Sequence, residues 1–339
     1  MRKLIGLAIL LAAIVVPLGA YVRLSDAGLG CPDWPGCYGQ LSPHHAADTI
    51  QQAAVANPDG PVSLPKAWKE MVHRYLAAAL GLAILLTALS AWRLRRDRLP
   101  AGLLLGGVVL QGLLGMWTVT LLLKPAIVSL HLIGGMSIAA GLGWFGLRRY
   151  WPTITVPRGV SVLAWSLVLA ILLQIGLGGW VSSNYAALAC QGFPQCNGSW
   201  LPPAMRFDHA FHLWRELGAA PDGTPLDSAN LVAIHWLHRV GAVLVSLLVC
   251  GLVLGAWQQA ALRPRLLLLL AAWLLQVALG IANVLLLLPL PLAVAHNAGA
   301  LLLLSVALLL AVQCRARAPS IVFTRSIRLH GLANKRSLQ

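Results

Sequence analysis

Ala126 to Leu147 reads AIVSLHLIGGMSIAAGLGWFGL, 22 residues without a single charge. A helix of about 20 apolar residues spans the hydrocarbon core of a bilayer, so this stretch is predicted to cross a membrane. Arg148 and Arg149 stand at one end, and the only ionisable side chain, His131, lies a turn or two inside the other. Seven more apolar runs flank it, near 4–22, 71–92, 102–123, 160–181, 233–257, 266–288 and 293–312. The chain of 339 residues is 58% hydrophobic and only 10% charged, against roughly 25% charged in soluble proteins. A water-soluble enzyme is excluded.

The 25 Lys and Arg exceed the 10 Asp and Glu by a formal charge of +15. On a soluble face such a surplus would point to nucleic acid. Here it follows topology instead. With both termini in the cytoplasm, 17 of the 25 basic residues fall inside, including the cluster Arg93, Arg95, Arg96 and Arg98, whereas Asp97 is the only acid there. Short loops obey the positive-inside rule best. The expected fold class is therefore an all-α polytopic membrane protein of eight transmembrane helices, with cytoplasmic N and C termini. It is expected in a bacterial inner membrane, with the long loops 23–70 and 182–232 periplasmic. The lipid bilayer is its solvent, and no nucleic-acid partner is expected.

The chain repeats itself. GAYV at 19–22, leading to CPDWPGC at 31–37, matches GGWV at 178–181, leading to CQGFPQC at 190–196, at an offset of 159. An offset of 165 takes His73-Arg74 to His238-Arg239, Gln111 to Gln276, Gly115 to Gly280, His131 to His296 and Gly134 to Gly299. Four spans per half give both halves the same orientation, a parallel repeat about an axis along the membrane normal. The reading is two four-helix bundles, 1–153 and 158–313, followed by a basic cytoplasmic tail, 314–339. The repeat also argues that the first span is retained rather than cleaved as a signal peptide.

His73 and His131 are 58 residues apart, as are His238 and His296. In each half, two helices running the same way present one imidazole each at comparable depth. Facing side chains in bundle cores build cofactor sites, and two opposed imidazoles suit the axial positions of a haem iron. Gly134 and Gly299, one turn below His131 and His296, are expected to clear room for the macrocycle. The bland alternative is helix–helix hydrogen bonding. Duplication at equal spacing favours a metal role, since intramembrane ionisable groups are functional by default. Structural zinc wants four ligands where each half offers two.

The halves differ in one respect. Glu70 precedes His73 by three residues, on the same helix face, and the equivalent position holds His235. The first half is expected to do proton chemistry and the second to relay electrons. The competing reading of Glu70 is a simple pairing with Arg74. Arg74 and Arg239 are read as propionate partners or as snorkelling side chains. Cys31, Cys37, Cys190 and Cys196 fall in outer loops where disulfides persist. Pairing within each loop, Cys31–Cys37 and Cys190–Cys196, is preferred over cross-pairing. Cys250 and Cys314 are read as small apolar fillers.

Taken in order, VRLSDAGLGCPDWPGC at 22–37, EMVHR at 70–74, HWLHR at 235–239 and AHNAG at 295–299 resemble the haem A synthase family, over the chain up to about residue 313. The resemblance implies an oxidoreductase that converts haem O to haem A, oxidising the C8 methyl group to a formyl group by successive hydroxylations. It implies that His73 and His131 ligate the substrate haem in a catalytic N-terminal half, with Glu70 as the catalytic carboxylate. His238 and His296 would hold a haem b cofactor. Implied partners are haem O, the farnesyltransferase that makes it and an electron acceptor; a homo-oligomer is left open. Two rival readings are a di-haem electron-transfer cytochrome, which leaves Glu70 unexplained, and a periplasmic thiol-redox membrane protein, which leaves four intramembrane histidines idle.

Overall fold

A polar first turn decides where the third helix begins. The computed structural model describes residues 1–317, and in it Ser63 caps a helix by accepting from the Lys66 N–H at 3.4 Å, with Pro65 in the first turn. The elements are α1 (Arg2–Leu24), α2 (Ala47–Ala56), α3 (Leu64–Arg93), α4 (Arg98–Thr120), α5 (Pro125–Leu147), α6 (Arg158–Ser183), α7 (Ser228–Ala256), α8 (Arg263–Leu285) and α9 (Leu290–Gln313). All except α2 are long and apolar enough to cross a membrane, so the protein is a multi-pass all-α membrane protein. The apolar run near 71–92 understates α3 by seven residues, because Lys66, Lys69 and Glu70 occupy its first turns. Glu70 and His73 therefore share one continuous helix.

Helices α1, α3, α4 and α5 form a ring in which each packs on the next, with α3 and α5 at opposite corners. The second ring is α6, α7, α8 and α9, with α7 and α9 opposite. Between the rings α1 packs on α9, its counterpart α6 packs on α5, and α5 meets α9. That exchange of equivalents is the signature of a two-fold axis along the helices. Buried Leu167, Leu252, Leu269 and Leu304 fill the second bundle, and Ala8, Ala12, Ile84 and Leu142 the first.

The two halves clasp at equivalent positions. Arg23 donates to the Ser182 carbonyl at 2.9 Å and lies 4.4 Å above the Tyr185 ring, while the Tyr185 hydroxyl donates to Asp26 at 2.7 Å. Burial, then the Asp26 carboxylate, raises the Tyr185 phenol above its ordinary pKa, so it remains a donor. On the opposite face Asp97 accepts from Arg148 at 2.6 Å and Arg149 at 3.0 Å.

Two expectations need correction. The segment 314–316 is not the start of a free tail: Cys314–Ala316 (β2) pairs in parallel with Ile154–Val156 (β1), the link between the bundles. The remainder of the expected tail, 318–339, lies outside the described residues. Cys250 is exposed on α7 and fills no gap, whereas Cys314 is buried.

Arg23→Ala removes the clasp and is expected to lower the thermal midpoint of the protein in detergent by about 2–4 °C, read by differential scanning. An unchanged midpoint would show that the clasp adds no net stability.

Candidate functional site

His73, His131, His238 and His296 each rest on a glycine of the helix preceding it among the spans. A Cβ built on Gly19 of α1 would stand 2.9 Å from Cε1 of His73, and one on Gly115 of α4 3.1 Å from that of His131. The same atom on Gly178 of α6 would lie 3.2 Å from His238, and on Gly280 of α8 3.0 Å from His296. Any side chain there would displace the ring. Leu18, Leu114, Leu177 and Leu279 precede these glycines, so all four membrane hairpins carry the same Leu-Gly and His elements. The duplication read from sequence is thus repeated within each half.

The seats turn the imidazoles into the bundle cores. His73 and His131 stand on opposite corners of the first ring, His238 and His296 on those of the second. All four are half-buried. Opposite corners of an up-and-down bundle run parallel, so both members of a pair lie toward the same end of their helices.

Three seats carry a glutamine one turn before the glycine. Gln111 Nε2 donates to the His131 carbonyl at 2.6 Å and lies 3.1 Å from its Nδ1. Gln174 repeats this at His238 with 2.8 and 3.0 Å, and Gln276 meets Nε2 of His296 at 3.3 Å. The amide oxygens lie against the Cα positions of Gly134, Gly241 and Gly299. Gly134 and Gly299 therefore make room for glutamine amides, not for a macrocycle as the sequence led us to expect.

Glu70 is the only carboxylate within the eight spans. It is buried, accepting from Arg74 at 2.6 Å and from the Cys31 N–H at 3.0 Å. Arg74 also donates to the carbonyls of Asp33 at 2.8 Å and Gly36 at 2.6 Å, so the pair fastens the outer loop onto α3. Arg239 grips the second loop at the equivalent carbonyls, Gly192 at 2.9 Å and Gln195 at 3.1 Å, and also at the Cys190 carbonyl. In place of Glu70 it has buried His235, whose Nε2 lies 3.4 Å from Arg239. Both guanidiniums are thus used on loop backbone. The sulfurs of Cys31 and Cys37 are bonded at 2.04 Å, and Cys190 and Cys196 are likewise joined within their loop. Each loop closes through a turn with two residues at positive φ, Tyr38-Gly39 and Asn197-Gly198. The Asn-Gly pair is the residue choice such a turn favours.

A family model described as cytochrome oxidase assembly protein matches residues 2–308. The haem A synthase of Shewanella oneidensis is 39% identical over 311 residues, covering 89% of this chain and 92% of that protein. The chain belongs to the haem A synthase family. The haem A synthases of Beijerinckia indica and Bradyrhizobium sp. (strain ORS 278) are 32% and 30% identical, each with 89% of its length covered.

The structure sets His73 and His131 on opposite corners of the first ring and His238 and His296 on those of the second, with Glu70 a turn before His73 on α3. Sequence reasoning missed the four glycine seats as a set, and Gln174 altogether. The repeated pattern QxxLG at 111–115, 174–178 and 276–280 was the available signal. His44, His45, His209 and His212 form no metal-binding group with Cys, Asp or Glu among the described residues.

Arg74→Ala removes the clamp on the first loop. Charge-assisted hydrogen bonds contribute about 1.5–3 kcal/mol, so reduction of Cys31–Cys37 should quicken roughly tenfold. Thiol labelling at fixed reductant reads this, with Cys190–Cys196 as the unchanged internal reference.

Proposed function

We propose that this protein is a haem A synthase that oxidises the C8 methyl of haem O to a formyl group within an inner membrane, the disulfide loops lying on the periplasmic side. The carrying observation is two imidazole pairs on opposite bundle corners, only the first of which has a carboxylate on the same helix face. Written with water as oxygen donor, a methyl group plus one water becomes a formyl group, four protons and four electrons. The site must therefore manage protons at one porphyrin edge and pass electrons away.

The residues fit a porphyrin on two counts. The donors are ring nitrogens, two to a bundle, on opposite corners. Nδ1 of His73 and Nδ1 of His296 are buried without a partner, as a ring nitrogen open to a metal would be.

His73 and His131 hold the substrate haem in the N-terminal half, 1–153. His238 and His296 hold haem b in the C-terminal half, 158–313. Bound there, haem b supplies one-electron redox chemistry. Glu70 accepts and releases protons at the substrate edge, and Arg74 sets its resting charge. The glycine seats fix the depth of each imidazole, and the clamped loops keep bulk water from the outer ends of the bundles.

Glu70→Gln keeps an oxygen to accept from Cys31 but cannot carry a proton as a carboxylate does. Loss of general acid–base help costs about 100-fold or more. Haem extraction from cells supplied with haem O should show haem A lowered by that factor and haem b retained; an undiminished yield removes Glu70 from the chemistry. His238→Ala should abolish extractable haem b, and a wild-type protein that yields only haem b would make it an electron carrier instead.

A further inference from the structure

Three of the four histidines are braced and one is not. Where Gln111, Gln174 and Gln276 stand one turn before their seat glycines, α1 has Val15. Where Gly134, Gly241 and Gly299 stand three residues after their histidines, α3 has Leu76. The two changes belong together. Each brace amide lies against the Cα of its glycine, so a leucine there would evict a glutamine. In the first hairpin Val15 and Leu76 instead join one apolar cluster with Ala12 and Ile84. Nδ1 of His73 is left buried without a hydrogen-bond partner, as is Nδ1 of His296, but His296 meets Gln276 at Nε2 whereas no glutamine reaches either nitrogen of His73.

A braced imidazole is held by its glutamine, whose amide nitrogen lies against a ring nitrogen and so fixes the ring's rotation. Without the brace a ring keeps its seat but rotates more freely. A site that must admit substrate and release product at each turnover needs one such ligand. A site that retains its cofactor needs none. The unbraced ring falls in the half assigned to substrate, on the helix that also carries Glu70.

We propose that Gln111, Gln174 and Gln276 are positioning residues that lock His131, His238 and His296, and that Val15 with Leu76 makes His73 the releasable ligand through which substrate haem enters and product leaves. This rests on the four histidines being haem ligands, as proposed above.

The test uses the full-length protein in detergent, loaded with ferric haem and mixed with excess apomyoglobin as acceptor. Two phases of haem loss are expected, a fast one from the first half and a slow one from the second. Removing such a supporting partner typically changes metal affinity about 10–100-fold. Val15→Gln with Leu76→Gly should therefore slow the fast phase at least about tenfold, and should convert five-coordinate haem to six-coordinate in resonance Raman spectra, which a general packing change would not do. The reverse exchange, Gln276→Val with Gly299→Leu, should quicken the slow phase by a similar factor; it decides the matter if the first variant does not fold. Unchanged phases in the folded variants overturn the brace. Retention of both phases in His238→Ala and His73→Ala overturns the ligand reading itself.

Discussion

An imidazole lying on the bare Cα of a neighbouring helix is the contact on which the rest of this architecture depends. In lipid no hydrophobic effect drives helices together, so close approach is left to small residues and to polar partners. Gly19, Gly115, Gly178 and Gly280 let each hairpin close until a ring fills the space a side chain would take. That sets the depth of four histidines at once. Because the hairpins all run the same way, the rings of opposite corners lie toward the same end of the bundle without any further device.

Polar atoms buried among apolar helices carry a large penalty unless partnered, and the protein spends its few polar side chains on that problem. Glutamine amides serve three rings. Arginines at the outer ends of α3 and α7 gather loop carbonyls that would otherwise be unmet, drawing each disulfide loop down onto its bundle. The two-fold relation between the halves extends to the clasp, in which Arg23 meets Ser182 and Asp26 meets Tyr185, each pair equivalent in the repeat.

Function enters where that symmetry fails. Glu70 against His235 changes a charge beside one ring pair, and Val15 with Leu76 against glutamine with glycine changes how one ring is held. Both departures lie in the first bundle and both involve His73. A duplicated scaffold thereby gains two halves whose ring pairs differ in their surroundings, without altering a single helix direction.

The eight spans and the repeat that relates them could be read in chain order, because hydropathy and repeat spacing are properties of one dimension. The seven-residue error at the start of α3 came from judging a helix by apolarity where a cap and a proline determined it. Gly134 and Gly299 were assigned to the wrong neighbour, and Gln174 was passed over, since neither a 159- nor a 165-residue offset pairs it with another glutamine. Which glycine receives which ring, which glutamine braces it and what Glu70 and Arg74 grip depend on helix rotation and on contacts between segments up to 64 residues apart. Those distances exist only after the helices pack, and the packing alone could assign them.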